Sequence, residues 1–166
     1  MTDESTRPAS RPGAKRIFLV VVDESAEMEV ALRYACYRAR NSGGRVALLY
    51  VIEPGDFQHF MAVEDIVREE RRAEAEQILQ RHARVVNQLT GTLPSLYLGE
   101  GVLRDELLRL VAEEPWISVL VLAAGTGPEG PGPLISYLAG KGIGRLRVPL
   151  TIVPGKLTEE QLVAVT

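Results

Sequence analysis

Two places in this chain bring together residue types whose spacing could do chemistry. One is Asp23, an acid that ends an apolar run; the other is a glycine-rich stretch after another apolar run, Val119-Leu-Val-Leu-Ala-Ala-Gly125-Thr-Gly127-Pro-Glu-Gly130-Pro-Gly-Pro133. Four glycines fall within eight residues there, Gly125 to Gly132. Glycine admits positive φ and lets a ligand approach the main chain closely. Pro133 suits the first turn of a helix, where its missing N–H would have had no partner. A strand, a glycine loop and a helix start in that order fit an anion, and the chemistry they would serve is the holding of a phosphate or a nucleotide. Lys141, directly after Gly140, could add positive charge to such a pocket or sit on the surface.

The other candidates carry less. Asp23 could bond a ribose hydroxyl, help hold a metal ion, or cap the helix that follows. Gly140-Lys-Gly142 is not a phosphate-binding P-loop, because Ile135 occupies the first glycine position and Gly142 replaces the Ser or Thr that would bind magnesium. Ser25, Ser118 and Ser136 lie in no Gly-x-Ser-x-Gly turn, so a triad hydrolase has no support. Neither His59 nor His82 has Cys or carboxylate spacing of a metal site, and no metal ligand is assigned. His82 among Arg81 and Arg84 reads as exposed, His59 beside Phe57 and Phe60 as part of a loop over the sheet edge, and Trp116 as a packing residue. Cys36 lies in an apolar helix stripe and reads as a buried, inert thiol.

The elements that must position these residues alternate regularly. Arg16 to Val22, Arg45 to Ile52, Ser95 to Leu98, the run from Val119 and Val148 to Val153 read as strands, the long apolar ones as parallel strands buried on both faces. Met28, Ala31, Leu32, Ala35, Cys36 and Ala39 recur as one helical face, stopped by Gly43-Gly44. From Val63 to Leu89 a long helix is expected, with Ile66, Val67, Ala73, Ile78, Leu79, Val85, Val86 and Leu89 inward and a solvated charge run from Arg68 to Glu76 outward. Arg104 to Glu114 is amphipathic, with Leu107, Leu108 and Val111 inward. Pro149 confines the last strand to a sheet edge or to a start at that residue, and such an apolar edge invites a second chain. Thr158-Glu-Glu-Gln161 has capping-box spacing before a short terminal helix. The order predicts an α/β protein, a single-domain doubly wound sheet of five parallel strands flanked by helices.

Composition bounds the function. At 166 residues, 46% apolar and 25% charged, the chain is one globular domain of ordinary size. A net charge of -3 argues against a dedicated nucleic-acid binder. One cysteine excludes an internal disulfide, and no apolar run reaches membrane-spanning length, so the expected setting is the cytoplasm. Residues 1–15 read as a loose tail without a signal-peptide core, 16–154 as the domain, and 155–166 as a terminal tail.

Read in order, the chain resembles the universal stress protein family. The residues that carry the likeness are Leu19-Val-Val-Val-Asp23-Glu-Ser25 before an alanine-rich helix, Ala47-Leu-Leu-Tyr-Val-Ile-Glu-Pro54, Glu100-Gly101 before a helix with Asp105-Glu106, and Val148-Pro-Leu-Thr-Ile-Val153. The likeness covers about Arg16 to Pro154 and implies a five-stranded Rossmann-like sheet of the adenine nucleotide alpha hydrolase-like kind. It further implies a homodimer joined through the last strands, Val148 to Val153, and in one branch an ATP site. That branch's motif is Gly, two residues, Gly, nine residues, Gly, then Ser or Thr; here Gly127, Gly130 and Gly140 match and Lys141 replaces the hydroxyl. A second register, aligned through Pro149, puts Ala123, Thr126 and Ser136 on the glycine positions. From the resemblance, Asp23 would meet ribose or phosphate groups and the Val51 backbone would read adenine; Val22 beside Asp23 and Gly125 at the start of the glycine loop are further candidate nucleotide contacts. The implied function is a stress-response protein binding ATP or a related adenine nucleotide, with or without Mg2+, with a weak ATPase activity at most. The alternative is a dimeric interaction protein of the branch that binds no nucleotide, whose client the sequence does not name.

Overall fold

Strands rich in Val, Leu and Ile and apolar on both faces are stable only where helices cover both sides of their sheet. The computed structural model describes residues 15–54 and 61–166 and meets this requirement. Its strands are β1 (Ile17–Val21), β2 (Arg45–Ile52), β3 (Ser95–Glu100), β4 (Ile117–Ala124) and β5 (Leu150–Pro154). They alternate with α1 (Ala26–Ser42), α2 (Met61–Thr90), α3 (Leu103–Glu113), α4 (Pro133–Ala139) and a 3-10 turn at Ile143–Arg145, and α5 (Glu159–Val165) closes the chain. Every pairing is parallel and the strand order is β3-β2-β1-β4-β5.

Period-two alternation in β1 divides the core into two layers. Phe18, Val20 and Val22 join one cluster with α1, α2 and Leu162 of α5. Leu19 and Val21 join the other with Leu107, Leu108 and Val111 of α3 and Ile135 and Leu138 of α4. The expected doubly wound α/β sheet is therefore what the sequence forms.

Local signals account for most element ends. All six residues of the expected α1 stripe are buried. Gly43 ends that helix at φ 69°, a left-handed conformation that glycine adopts without a Cβ clash. Pro133 opens α4. Thr158 and Gln161 form the expected capping box, with Thr158 N–H donating to Gln161 Oε1 at 2.9 Å and Gln161 N–H to Thr158 Oγ1 at 3.2 Å. Pro149 stands just before the edge strand β5, where its missing N–H costs nothing while its carbonyl accepts from Leu120 N–H at 3.0 Å.

Other expectations are corrected. The third strand runs on through Gly99 to Glu100, paired with β2, and the last strand begins at Leu150. Ile66 and Ala73 point outward, Ile66 with 60% exposure. For Ile66 the reason is length: a 30-residue helix spans about 45 Å, more than the strands beneath it, so its first turns overhang the sheet; Ala73 lies about 200° around the helix from the buried Ala75 and so faces away from the core. The charge run is not simply solvated either, since Arg68 Nε donates to Glu100 at the end of β3 at 3.1 Å and Arg72 lies 3.5 Å from the same carboxylate. His82 is half-buried with Nδ1 2.8 Å from the Ile78 carbonyl, and Trp116 is 45% exposed. Phe57, His59 and Phe60 lie outside the described residues, as does nearly all of the N-terminal tail. Among the described residues no helix is long and apolar enough to cross a membrane.

Candidate functional site

β1 and β4 are neighbours, but the chain leaves them in opposite directions. After β1 it turns through α1 to β2 on one side; after β4 it turns through α4 to β5 on the other. Because α1 and α4 cover opposite faces, the carboxyl ends of β1 and β4 stand apart above the sheet, which is where open α/β sheets leave room for a ligand. A cleft of about 620 Å³ occupies this place. Asp23, Ser25 and Glu27 line it from the start of α1, and Gly125, Glu129 and Gly130 from the loop after β4. Its apolar wall includes Val21, Met28, Leu122 and Leu134. A larger hollow of about 950 Å³ runs beside Glu24 along α2, but its lining is mostly the charged surface of that helix and includes no residue of the glycine loop.

The two stretches singled out in the sequence thus meet in one cleft. Asp23 is exposed, and its Oδ1 accepts from Ser25 N–H at 2.8 Å and from Ser25 Oγ at 2.6 Å. Ser25, not Asp23, occupies the N-cap position of α1. Asp23 instead orients the strand-to-helix turn and keeps its carboxylate at the cleft. Val22 is buried, and its N–H donates to the Leu49 carbonyl at 2.8 Å. Val51 lies in β2 opposite Gly99, and Val22 and Val51 do not line the cleft. Gly127 is likewise absent from its lining, though its carbonyl accepts from Gly130 N–H at 3.1 Å. Gly140 ends α4, with its N–H on the Tyr137 carbonyl at 3.2 Å. The exposed Lys141 follows it, and neither reaches the cleft lining.

The loop is closed on itself. Gly125 N–H donates to the Pro131 carbonyl at 3.3 Å, so the amides of Gly125 and Gly130 are both engaged inside it. Gly130 at φ 84° and Gly132 at φ 107° make the reversal, which explains why glycine is needed at these two positions.

Among the described residues three carboxylates, Asp23, Glu27 and Glu129, line the cleft, and its lining includes no Lys, Arg or His. Glu27 and Glu129 were not singled out from sequence. An acid in the first turn of a helix reads as a complement to the helix dipole, which hid Glu27. The signal for Glu129 was its place inside the glycine run. Among the described residues no group of three or more His, Cys, Asp or Glu is placed to hold a metal ion.

Residues 15–154 match the family model of the universal stress proteins. The chain belongs to the universal stress protein family. No curated protein matches it significantly. Solved structures of the family share its fold. The universal stress protein UspA from Lactobacillus plantarum is 18% identical, with TM-score 0.68 over 86% of this chain and 99% of its own. A universal stress protein solved in complex with cAMP is 17% identical, with TM-score 0.60 over 86% of this chain and 99% of its own. The universal stress protein from Archaeoglobus fulgidus in complex with dAMP is 21% identical, with TM-score 0.55 over 84% of this chain and 98% of its own. At these identities the likeness is one of fold, and the universal stress protein fold is what this chain shares with them.

Proposed function

We propose that this universal stress protein binds an adenine nucleotide in the cleft between the ends of β1 and β4 and acts through that binding rather than through turnover. The observation that carries the reading is the convergence of Asp23 and the Gly125–Gly132 loop, far apart in sequence, on one cleft at the switch point of the sheet. The apolar wall gives a purine ring a surface to lie on, and the Asp23 carboxylate, already turned by Ser25, presents an acceptor for a ribose hydroxyl. Family members solved with cAMP and dAMP support an adenine ligand. Gly127, Gly140 and Lys141 do not line the cleft and have no part in this reading. The test is isothermal titration of the purified full chain with AMP and cAMP. Saturable heat that falls about ten-fold in affinity in Asp23→Ala supports the reading, and no heat with either compound removes it.

A second reading is an interaction protein that binds no nucleotide. The engaged amides of Gly125 and Gly130 favour it, because a loop satisfied internally needs no ligand to order it. In both readings β5 is the surface for a second copy. Among the described residues it is an edge strand with one side unpaired, and Ile152 on it is 42% exposed.

A further inference from the structure

We propose that the cleft discriminates among nucleotides by phosphate charge, admitting ligands with a single phosphate group and excluding the metal-free triphosphate; this rests on the nucleotide reading above. Its basis is the cleft's own charge. Among the described residues, Asp23, Glu27 and Glu129 face it, no cationic side chain lines it, and none of the three makes an ion pair.

Glu27 is the residue that fixes this geometry. It is half-buried and stands between the ends of β4 and β5. A Cβ built on Gly155 would collide with its Cγ, and a Cβ on Gly125 would lie 3.6 Å from its Oε1. The side chain is therefore packed against the backbone leaving β5, with its carboxylate turned towards the first residue of the glycine loop. A surface glutamate could swing away from an incoming anion; one held in this notch has little room to do so. The usual counterweight to phosphate charge, a fan of free loop amides, is also reduced, because the Gly125 and Gly130 amides already have carbonyl partners.

Each further negative charge brought close to the held Glu27 carboxylate and the exposed Asp23 and Glu129 carboxylates is expected to weaken binding on the order of ten-fold while no cation enters the cleft. The order expected in a metal-free buffer is cAMP, then AMP, then ADP, then ATP. Raising ionic strength compresses the differences, since screening acts on the repulsion and not on the contacts with the base.

The experiment is titration of the full chain and of Glu27→Gln and Glu129→Gln with AMP and ATP, in EDTA at low salt. The quantity read is the ratio of the two dissociation constants, which a general loss of folded protein leaves unchanged. ATP at least ten-fold weaker than AMP, with the ratio several-fold smaller in Glu27→Gln, supports the proposal. ATP binding as tightly as AMP overturns it and leaves the nucleotide reading standing. So does a ratio unmoved by both variants. Binding of neither compound overturns the nucleotide reading and this proposal with it.

Discussion

Arg147 donates to the carbonyl oxygen of Val111 through both Nε, at 3.1 Å, and Nη2, at 2.7 Å. The same Nη2 lies 2.9 Å from the Glu114 carbonyl. These oxygens belong to the end of α3, which has no basic residue in its own last turn. A helix end leaves carbonyls without partners and carries partial negative charge, so a planar cation is a suitable cap. Here the cap comes from the approach to β5, tying the edge strand to the end of α3.

Arg147→Ala should therefore lower stability by about 1–3 kcal/mol. The measurement is urea unfolding followed by circular dichroism. Arg147→Lys should recover only part of the loss, since an ammonium cannot reproduce the forked geometry. A midpoint unchanged in Arg147→Ala would show that the cap contributes nothing.

Cys36 predicts a pH effect. The thiol is completely buried, and burial pushes its pKa up from an ordinary 9.0 to about 12. The folded chain then holds this proton more tightly than the unfolded chain. The resulting stability is fully present below pH 9 and is lost as pH rises from about 9 towards 12. In Cys36→Ala the alkaline fall in the urea midpoint should become shallower, even though the variant starts from lower stability at pH 7. Labelling by a thiol reagent at pH 8 should be slow in native buffer and fast in urea. Rapid labelling of the native protein would mean that the site opens readily.

The edge strand predicts assembly. Light scattering at micromolar concentration should give twice the 18.2 kDa chain mass. Ile152→Lys, placed on the exposed strand, should shift the protein towards monomer without lowering its helical signal. A monomer mass for the unaltered chain would rule out β5 as a self-pairing surface under those conditions.

How far the sequence could be read depended on whether a residue's fate was decided by its near neighbours. The α1 stripe, Gly43, Pro133 and the Thr158–Gln161 box each depend on residues within a turn or two, and each took the expected form. Ile66 and Trp116 did not, because their exposure depends on where a long helix outruns the sheet and on what covers the end of α3. The charge run of α2 looked like a solvent face because its partner, Glu100, is at the end of a strand with no mark of the pairing in its sequence.

The candidate site divides in the same way. Asp23 and the glycine stretch were visible as residue types at strand ends, and their meeting follows from the order of strands. The amide partners of Gly125 and Gly130 and the notch that holds Glu27 were not visible, since each depends on loop conformation and on β5 coming alongside β4.

The sequence by itself determined the alternation of elements, the two-faced burial of the sheet and the strand ends where a ligand could sit, because hydrophobic period and glycine and proline chemistry act over a few residues. Only the tertiary structure decided the sign and shape of that place. The carboxylates of Asp23 and Glu27 at the start of α1 meet that of Glu129, about a hundred residues further along the chain, and the charge of a cleft is set by which side chains packing brings together.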